Sequence, residues 1–235
     1  MSEQSIKKVL ITGANGFIGN SLMRFYQQNN QAVVGVDLVG NGTDIIEGDI
    51  AKPESIANVL DDCDVIIHTA ALVSNAMEDS DMWRVNVQAT GNLINAAKKH
   101  KVRRFVQISS IVAYGNAAEG ELDENHPVHA DGGSYVLTKL ASEHTVLAAS
   151  ANDDIEVVIV RPGDAYGPGS RPWIIAPLEA IAKNQFMLPA KGEGFFRPIY
   201  IDDLVKGIAL AAQHPDAVGE IFNLSCEGYM TTKEY

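Results

Sequence analysis

The sequence predicts an α/β protein with parallel strands, and three observations carry that expectation. Short unbroken apolar runs, among them Val9-Leu10-Ile11 and the stretch ending Val65-Ile66-Ile67-His68, suit strands buried on both faces. Segments with helical spacing separate these runs, which is the alternation that a parallel sheet needs for its crossovers. A glycine-rich turn joins the first run directly to the first helical segment. At 235 residues the chain can bury a full core and has room for one domain with an appended lobe.

The turn is Gly13-x-x-Gly16-x-x-Gly19, and Ile18, Leu22, Phe25 and Tyr26 follow at helical spacing over 17–30. Gly13 can make the bend, Gly16 lets main chain approach a pyrophosphate without an intervening Cβ, and Gly19 lets the helix pack closely on the strand. Phe17 and Ile18 lie in the first helical turn, where free N–H groups and the positive dipole end favour an anion. Spaced glycines alone are a weak signal. Their position between this strand and this helix makes the turn a candidate dinucleotide site.

Residues 32–36 read as a second strand ending at Asp37. A carboxylate at that tip accepts hydrogen bonds from adenosine ribose hydroxyls and repels a 2′-phosphate. No basic residue occurs between Arg24 and Lys52, so the expected cofactor is NAD rather than NADP. Residues 44–50 read as a third strand, and 53–60 as a helix opened by Pro53. The fourth strand, 64–68, runs into Thr69-Ala70-Ala71, whose small side chains leave room for a cofactor across the sheet edge. His68, alone at a strand end, reads as structural rather than catalytic. A long helix is expected over 81–100, with Asn86 inside it, where an asparagine is unfavourable and needs a reason.

The fifth strand, 104–108, delivers Ser109 and Ser110 to the edge that carries the glycine turn. A loop over 115–133 leads to Ser134-Tyr135-Val136-Leu137-Thr138-Lys139, which opens a helix to about 151. Tyr135 and Lys139, at i and i+4, share one helical face. Residues 156–161 read as strand six, ended by Pro162. From Trp173 the alternation loosens into a short helix to 182, a strand near 198–201, a helix over 203–213 and a strand over 221–224. Thr231 and Glu234 have capping-box spacing close to the last residue, Tyr235, so part of a C-terminal lobe is expected to be missing.

Composition narrows the partners. Net charge is −12, from 18 Lys+Arg against 30 Asp+Glu, which disfavours nucleic acid and anionic lipid as main partners. No signal-peptide pattern opens the chain and no apolar run approaches the roughly 18 residues of a membrane span, so a soluble, cytoplasmic protein acting on a small molecule is expected. Cys63 and Cys226 stand far apart, and the histidines form no ligand-spaced pair, so no disulfide framework and no metal site are expected.

Taken together, TGANGFIG at 12–19, Asp37, Gly48-Asp49-Ile50, HTAA at 68–71, NVQATGN at 86–92, SSIVAYG at 109–115, SYVLTK at 134–139, RPGDAYGPG at 161–169 and IYIDDLVKGI at 199–208 resemble the extended short-chain dehydrogenase/reductase family. Within it, the NAD-dependent epimerase/dehydratase and 3β-hydroxysteroid dehydrogenase-like group is the nearest in pattern. The resemblance covers nearly the whole chain. It implies a doubly wound parallel (Rossmann) sheet, with residues 1–170 as NAD-binding domain and 171–235 as a small substrate lobe intermixed with the last sheet elements and truncated at its C-terminus. It implies Ser110, Tyr135 and Lys139 as the catalytic set with Asn86 in support, Asp49 and Ile50 at adenine, Ala70, Ala71 and Pro162 on the nicotinamide side, and Ser109 among the cofactor-binding residues. Asn86, Tyr135 and Lys139 would also touch the cofactor, and the family commonly forms homodimers.

Physical chemistry agrees with that assignment. Tyrosine's ordinary pKa is about 10, so use as a base at neutral pH calls for a shift of roughly three units, about 4 kcal/mol. A cation at Lys139 and the positive nicotinamide ring are expected to supply it. The expected activity is hydride transfer between a secondary alcohol and its ketone. The alternatives are a nucleotide-sugar epimerase with tightly held NAD and a non-catalytic NAD-binding protein. Ile111 and Val112 stand where dehydratases of the group carry an acidic pair, which weighs against dehydration. Asp164 in place of Asn, and Phe196 where many sugar-nucleotide enzymes have Arg, weaken the sugar-nucleotide reading, while Trp173, Ile174, Ile175, Phe186, Phe195 and Phe196 fit a less polar substrate.

Overall fold

The computed structural model describes residues 6–73, 78–115, 120–152, 154–228 and 230–235; of the expected loop over 115–133, residues 116–119 lie outside that set. In chain order come β1 (Val9–Thr12), α1 (Phe17–Gln28), β2 (Val33–Asp37), β3 (Ile45–Glu47), α2 (Ala57–Leu60), β4 (Val65–His68), α3 (Asp79–Trp83), α4 (Thr90–Lys99), β5 (Arg104–Ile108), α5 (Ser134–Ala149) and β6 (Glu156–Pro162). Then follow β7 (Asp164–Tyr166), α6 (Ala176–Ala182), β8 (Phe195–Phe196), β9 (Pro198–Tyr200), α7 (Ile201–Gln213), β10 (Ile221–Leu224) and β11 (Met230–Thr231).

Seven of these strands form one sheet in the order β3-β2-β1-β4-β5-β6-β10, every neighbour parallel. Successive side chains of a strand point to opposite faces, and here both faces are buried. Val9, Ile11, Val106, Ile108, Val158 and Val160 meet Leu22 and Met23 of α1 and Leu204, Val205 and Ile208 of α7. Leu10, Ile66, Phe105, Val157 and Ile159 meet Leu60 of α2, Leu93 and Ile94 of α4 and Val146 of α5. The sheet is therefore doubly wound, as the resemblance implied. Each fully buried Leu, Ile or Val contributes about 1.5–3 kcal/mol, so these two layers supply most of the driving force.

Two elements differ clearly from the sequence reading. The third strand stops at Glu47, because the chain turns at Asp49, whose carboxylate accepts the Ala51 amide at 2.9 Å and whose carbonyl accepts the Lys52 amide at 2.8 Å. Asp49 and Ile50 thus sit in a turn. The helix expected over 81–100 is interrupted by a wider π segment, Arg84–Ala89, centred on Asn86. In the stretch after residue 170, read as a lobe intermixed with the last sheet elements, α7 completes one core layer and β10 extends the sheet beside β6.

What stands off the sheet is smaller. β7 pairs with β9, and β8 pairs with β11. Trp173 packs on Phe196 with centroids 4.7 Å apart, and Tyr235 packs on Phe196 at 4.1 Å while its hydroxyl donates to the Trp173 carbonyl at 2.8 Å. The capping box closes locally, the Thr231 amide reaching Glu234 at 2.7 Å.

Candidate active site

The carboxyl ends of β1, β2, β4, β5 and β6 converge on one sheet edge, the place where open α/β sheets bind ligands. Gly13 has φ +69°, and a Cβ there would lie 2.8 Å from the Ala70 main chain. A Cβ at Gly19 would collide with the Gly13 carbonyl, so α1 begins hard against the turn. No acidic residue occupies the first turn of α1, leaving the positive helix end at Phe17 and Ile18 available to an anion.

Asp37 lies at the tip of β2 beside this turn. Its carboxylate accepts the Asn15 amide at 2.9 Å and the Leu38 amide at 2.8 Å, which leaves one lone pair on each oxygen for further donors. The Asn15 side chain donates to the Val39 carbonyl at 2.8 Å and ties the loop after β2 to the glycine turn. Asn15 was missed in the sequence because an asparagine inside a glycine turn reads only as a turn former. Ile50 is buried against the β2 face, and Asp49 is half-buried.

Ala70 and Ala71 follow β4, and Thr69 Oγ1 fixes their start by donating to the Thr12 carbonyl at 2.6 Å. Pro162, buried, ends β6. Beyond β5, the Ser109 hydroxyl is buried without a hydrogen-bond partner among the described residues, an orphan that a bound ligand would satisfy. Ser110 opens a short helical turn, its hydroxyl accepting the Val112 amide at 3.3 Å.

Tyr135 and Lys139 project from α5 toward these serines. The Lys139 ammonium donates to the Ile108 carbonyl at 2.9 Å and sits 6.0 Å from the centroid of the Tyr135 ring. Burial lowers the Lys139 pKa to about 8, against an opposing pull from Glu143. Burial pushes the Tyr135 pKa up, with a hydrogen bond to Ser110 acting the other way. Burial thus opposes the lowering that is expected from a cation at Lys139 and a positive nicotinamide ring together.

Asn86 is brought to the same place but does not present a free amide. Its Oδ1 accepts the Leu72 amide at 2.7 Å, and its Nδ2 donates to the Leu72 carbonyl at 3.0 Å and to Thr138 Oγ1 at 3.1 Å. It pins the segment after β4 to α5, which is the reason its unfavourable helical position lacked. This placement suits support through neighbouring main chain. His68 is buried between Thr12 and Thr90, with its pKa lowered to about 3 by burial and by the Lys139 charge. Beneath α5, Glu143 forms a buried ion pair with Arg161 at 2.7 Å, and Arg161 also donates to the Tyr114 hydroxyl at 2.9 Å. Glu143 at i+4 from Lys139 was legible as a helical neighbour, but its partner on β6 was not.

The sequence profile of the NAD dependent epimerase/dehydratase family matches residues 9–225. The chain belongs to that family. A low-salt glycan biosynthesis protein of Haloferax volcanii is 29% identical over 92% of this chain and 76% of its own length. A decarboxylating sterol-4-alpha-carboxylate 3-dehydrogenase of Candida albicans is 31% identical over 91% of this chain, which spans only 66% of that protein. Among solved structures, MoeE5 in complex with UDP-glucose and NAD has 28% identity and a TM-score of 0.87, covering 97% of this chain and 79% of its own. No helix among the described residues is long and apolar enough to cross a membrane.

Proposed function

We propose that this chain is an NAD-dependent oxidoreductase interconverting a secondary alcohol and a ketone. The observation that carries the reading is the meeting of Ser110, Tyr135 and Lys139 on the sheet edge that also holds the glycine turn. The residues present fit a dinucleotide: the cradle at Gly13, Gly16 and Gly19 for the pyrophosphate, Asp37 for the adenosine ribose, Asp49 and Ile50 at adenine, and Ala70, Ala71, Ser109 and Pro162 beside the nicotinamide. When bound, NAD supplies the hydride acceptor or donor. Tyr135 would exchange a proton with the substrate oxygen, Ser110 would hold that oxygen in line by a hydrogen bond, and Lys139 would stabilise the phenolate form and help to hold the nicotinamide ribose. A substrate panel followed at 340 nm tests the proposal, with net NADH formation expected from an alcohol and no signal from any substrate counting against it.

A nucleotide-sugar epimerase is the second reading, favoured by the likeness to a structure that holds UDP-glucose and NAD. Asp164 weighs against it. Its Oδ2 accepts the Arg197 amide at 2.9 Å, and burial raises its pKa, so an added diphosphate would meet a desolvated carboxyl rather than an amide donor. Sugar interconversion without accumulating NADH would favour the epimerase.

A homodimer is proposed as well. α4 and α5 pack side by side, and the nearby Trp83 and Leu147 remain 39% and 38% exposed, apolar surface that an isologous contact would cover. Light scattering at micromolar concentration should give twice the chain mass, and a monomer would refute it.

A further inference from the structure

The histidine that ends β4 belongs to a buried polar chain that the acid–base chemistry above does not use. Thr12 Oγ1 and His68 Nδ1 are 2.6 Å apart, His68 Nε2 and Thr90 Oγ1 are 3.0 Å apart, and Thr90 Oγ1 donates to the Asn86 main-chain carbonyl at 2.8 Å. Thr12, His68, Asn86 and Thr90 are all buried. A threonine hydroxyl carries one hydrogen, so the direction of the chain is set by counting. Thr90 commits its hydrogen to Asn86 and must accept from His68, which places the imidazole proton on Nε2. Nδ1 then accepts from Thr12, whose oxygen faces the Ala70 amide at 3.4 Å. Every link is neutral, and with a pKa of about 3 the imidazole keeps this form through the physiological range.

The two ends of this chain are in different parts of the site. Thr12 immediately precedes Gly13, where the cofactor turn begins. Asn86 lies in the π segment, and its side chain holds both main-chain groups of Leu72 and the hydroxyl of Thr138. Thr138 in turn donates to the Tyr135 carbonyl at 3.1 Å. Its single hydrogen is thereby spent, so it accepts from Asn86, and the whole sequence of donors runs without conflict from the glycine turn to the helix that carries Tyr135.

We propose that His68 and Thr90 are positioning residues that hold the cofactor turn in register with the acid–base helix, acting through Asn86 on the wall from Ala70 to Leu72 and on α5. The inference rests on the reading of this edge as an NAD site. Core histidines and threonines also occur as merely satisfied polar groups, and the two roles differ in what a broken link does to ligand binding.

Thr90→Val is near-isosteric and leaves His68 Nε2 and the Asn86 carbonyl without their partner, whereas Thr90→Ser keeps the hydroxyl. NAD affinity by calorimetry and hydrogen exchange of a peptide covering 69–73, which contains the Leu72 amide, read the two ends. Thr90→Val should bind NAD about tenfold more weakly and exchange faster at Leu72, from the loss of two hydrogen bonds in a buried network. Thr90→Ser should stay within about twofold of wild type. Wild-type affinity and protection in Thr90→Val, or equal losses in the two variants, would overturn the proposal. His68→Gln, which retains a donor and an acceptor, should bind NAD better than His68→Phe, and equal affinities would also overturn it. A wild-type chain that does not bind NAD refutes the cofactor reading instead, and exchange at Leu72 then still decides the positioning role.

Discussion

β5 has a buried cation at each end, and the two are held in opposite ways. At its start, Arg104 Nε reaches Glu156 at 2.8 Å, and Nη1 donates to the carbonyls of Ala211, Ala212 and His214 at 3.1, 3.0 and 2.8 Å. The guanidinium thereby satisfies the unpaired carbonyls at the end of α7 and fastens that helix to the sheet. At the other end, the Ile108 carbonyl holds the Lys139 ammonium, one acceptor among the described residues for three N–H bonds. Beside it, Gln107 Oε1 and Ser109 Oγ are buried without partners among the described residues. A cation shared among four acceptors is a fastening. Unspent polar capacity at the carboxyl ends of parallel strands is what a ligand completes.

The largest effect should come from the unfinished end. Tyr135→Phe is expected to lower turnover by about 10²- to 10⁴-fold through loss of the acid/base, with NAD affinity by calorimetry nearly unchanged. Unchanged turnover would erase the contrast between the two ends. Arg104→Ala strikes the fastened end, leaving three carbonyls without their cation. It should cost about 3 kcal/mol in urea denaturation while the folded fraction binds NAD normally. A variant of wild-type stability with weak NAD binding would show that the ends are not separable.

A pH series sharpens the comparison further. The folded pKa of Lys139, about 8, lies below its ordinary 10.5, so between those values the unfolded chain binds more protons and stability rises with pH. Lys139→Met lacks this dependence. Its stability advantage over wild type at pH 7.5 should shrink by about 2 kcal/mol by pH 9.5, and a constant difference would mean that the ammonium is solvated. The smallest effect concerns the outer rim. Asp37→Ser combined with Leu38→Arg should narrow the preference for NAD over NADP by about tenfold, and a wild type that already prefers NADP would refute the role of Asp37.

The sequence was most informative where the signal is local. The glycine turn, the strand ends at Asp37, His68 and Ile108, and the i, i+4 pair on α5 all follow from spacing within a few residues, and the structure brings Gly13, Ser110, Tyr135 and Lys139 to one edge. The third strand was drawn too long because its apolar run continues through Ile50, which is buried from a turn rather than from the sheet. The resemblance implies a supporting role for Asn86, but its partners are not legible, since nothing near it in sequence announces Leu72 or Thr138.

Residue periodicity and turn chemistry by themselves determined the α/β class, the dinucleotide turn and the face shared by Tyr135 and Lys139, because each depends on dihedral preferences and burial within one element. Tertiary structure alone decided which of those groups are satisfied. Arg161 finds Glu143 and Tyr114, Arg104 finds the end of α7, and His68 finds Thr12 and Thr90. These pairings join positions far apart in the chain, and they exist only after the sheet order has set β4, β5 and β6 side by side. Burial acts at that same stage: it raises the pKa of Tyr135 and lowers that of Lys139, because the cost of a charge depends on what surrounds it in space and not on its neighbours in sequence.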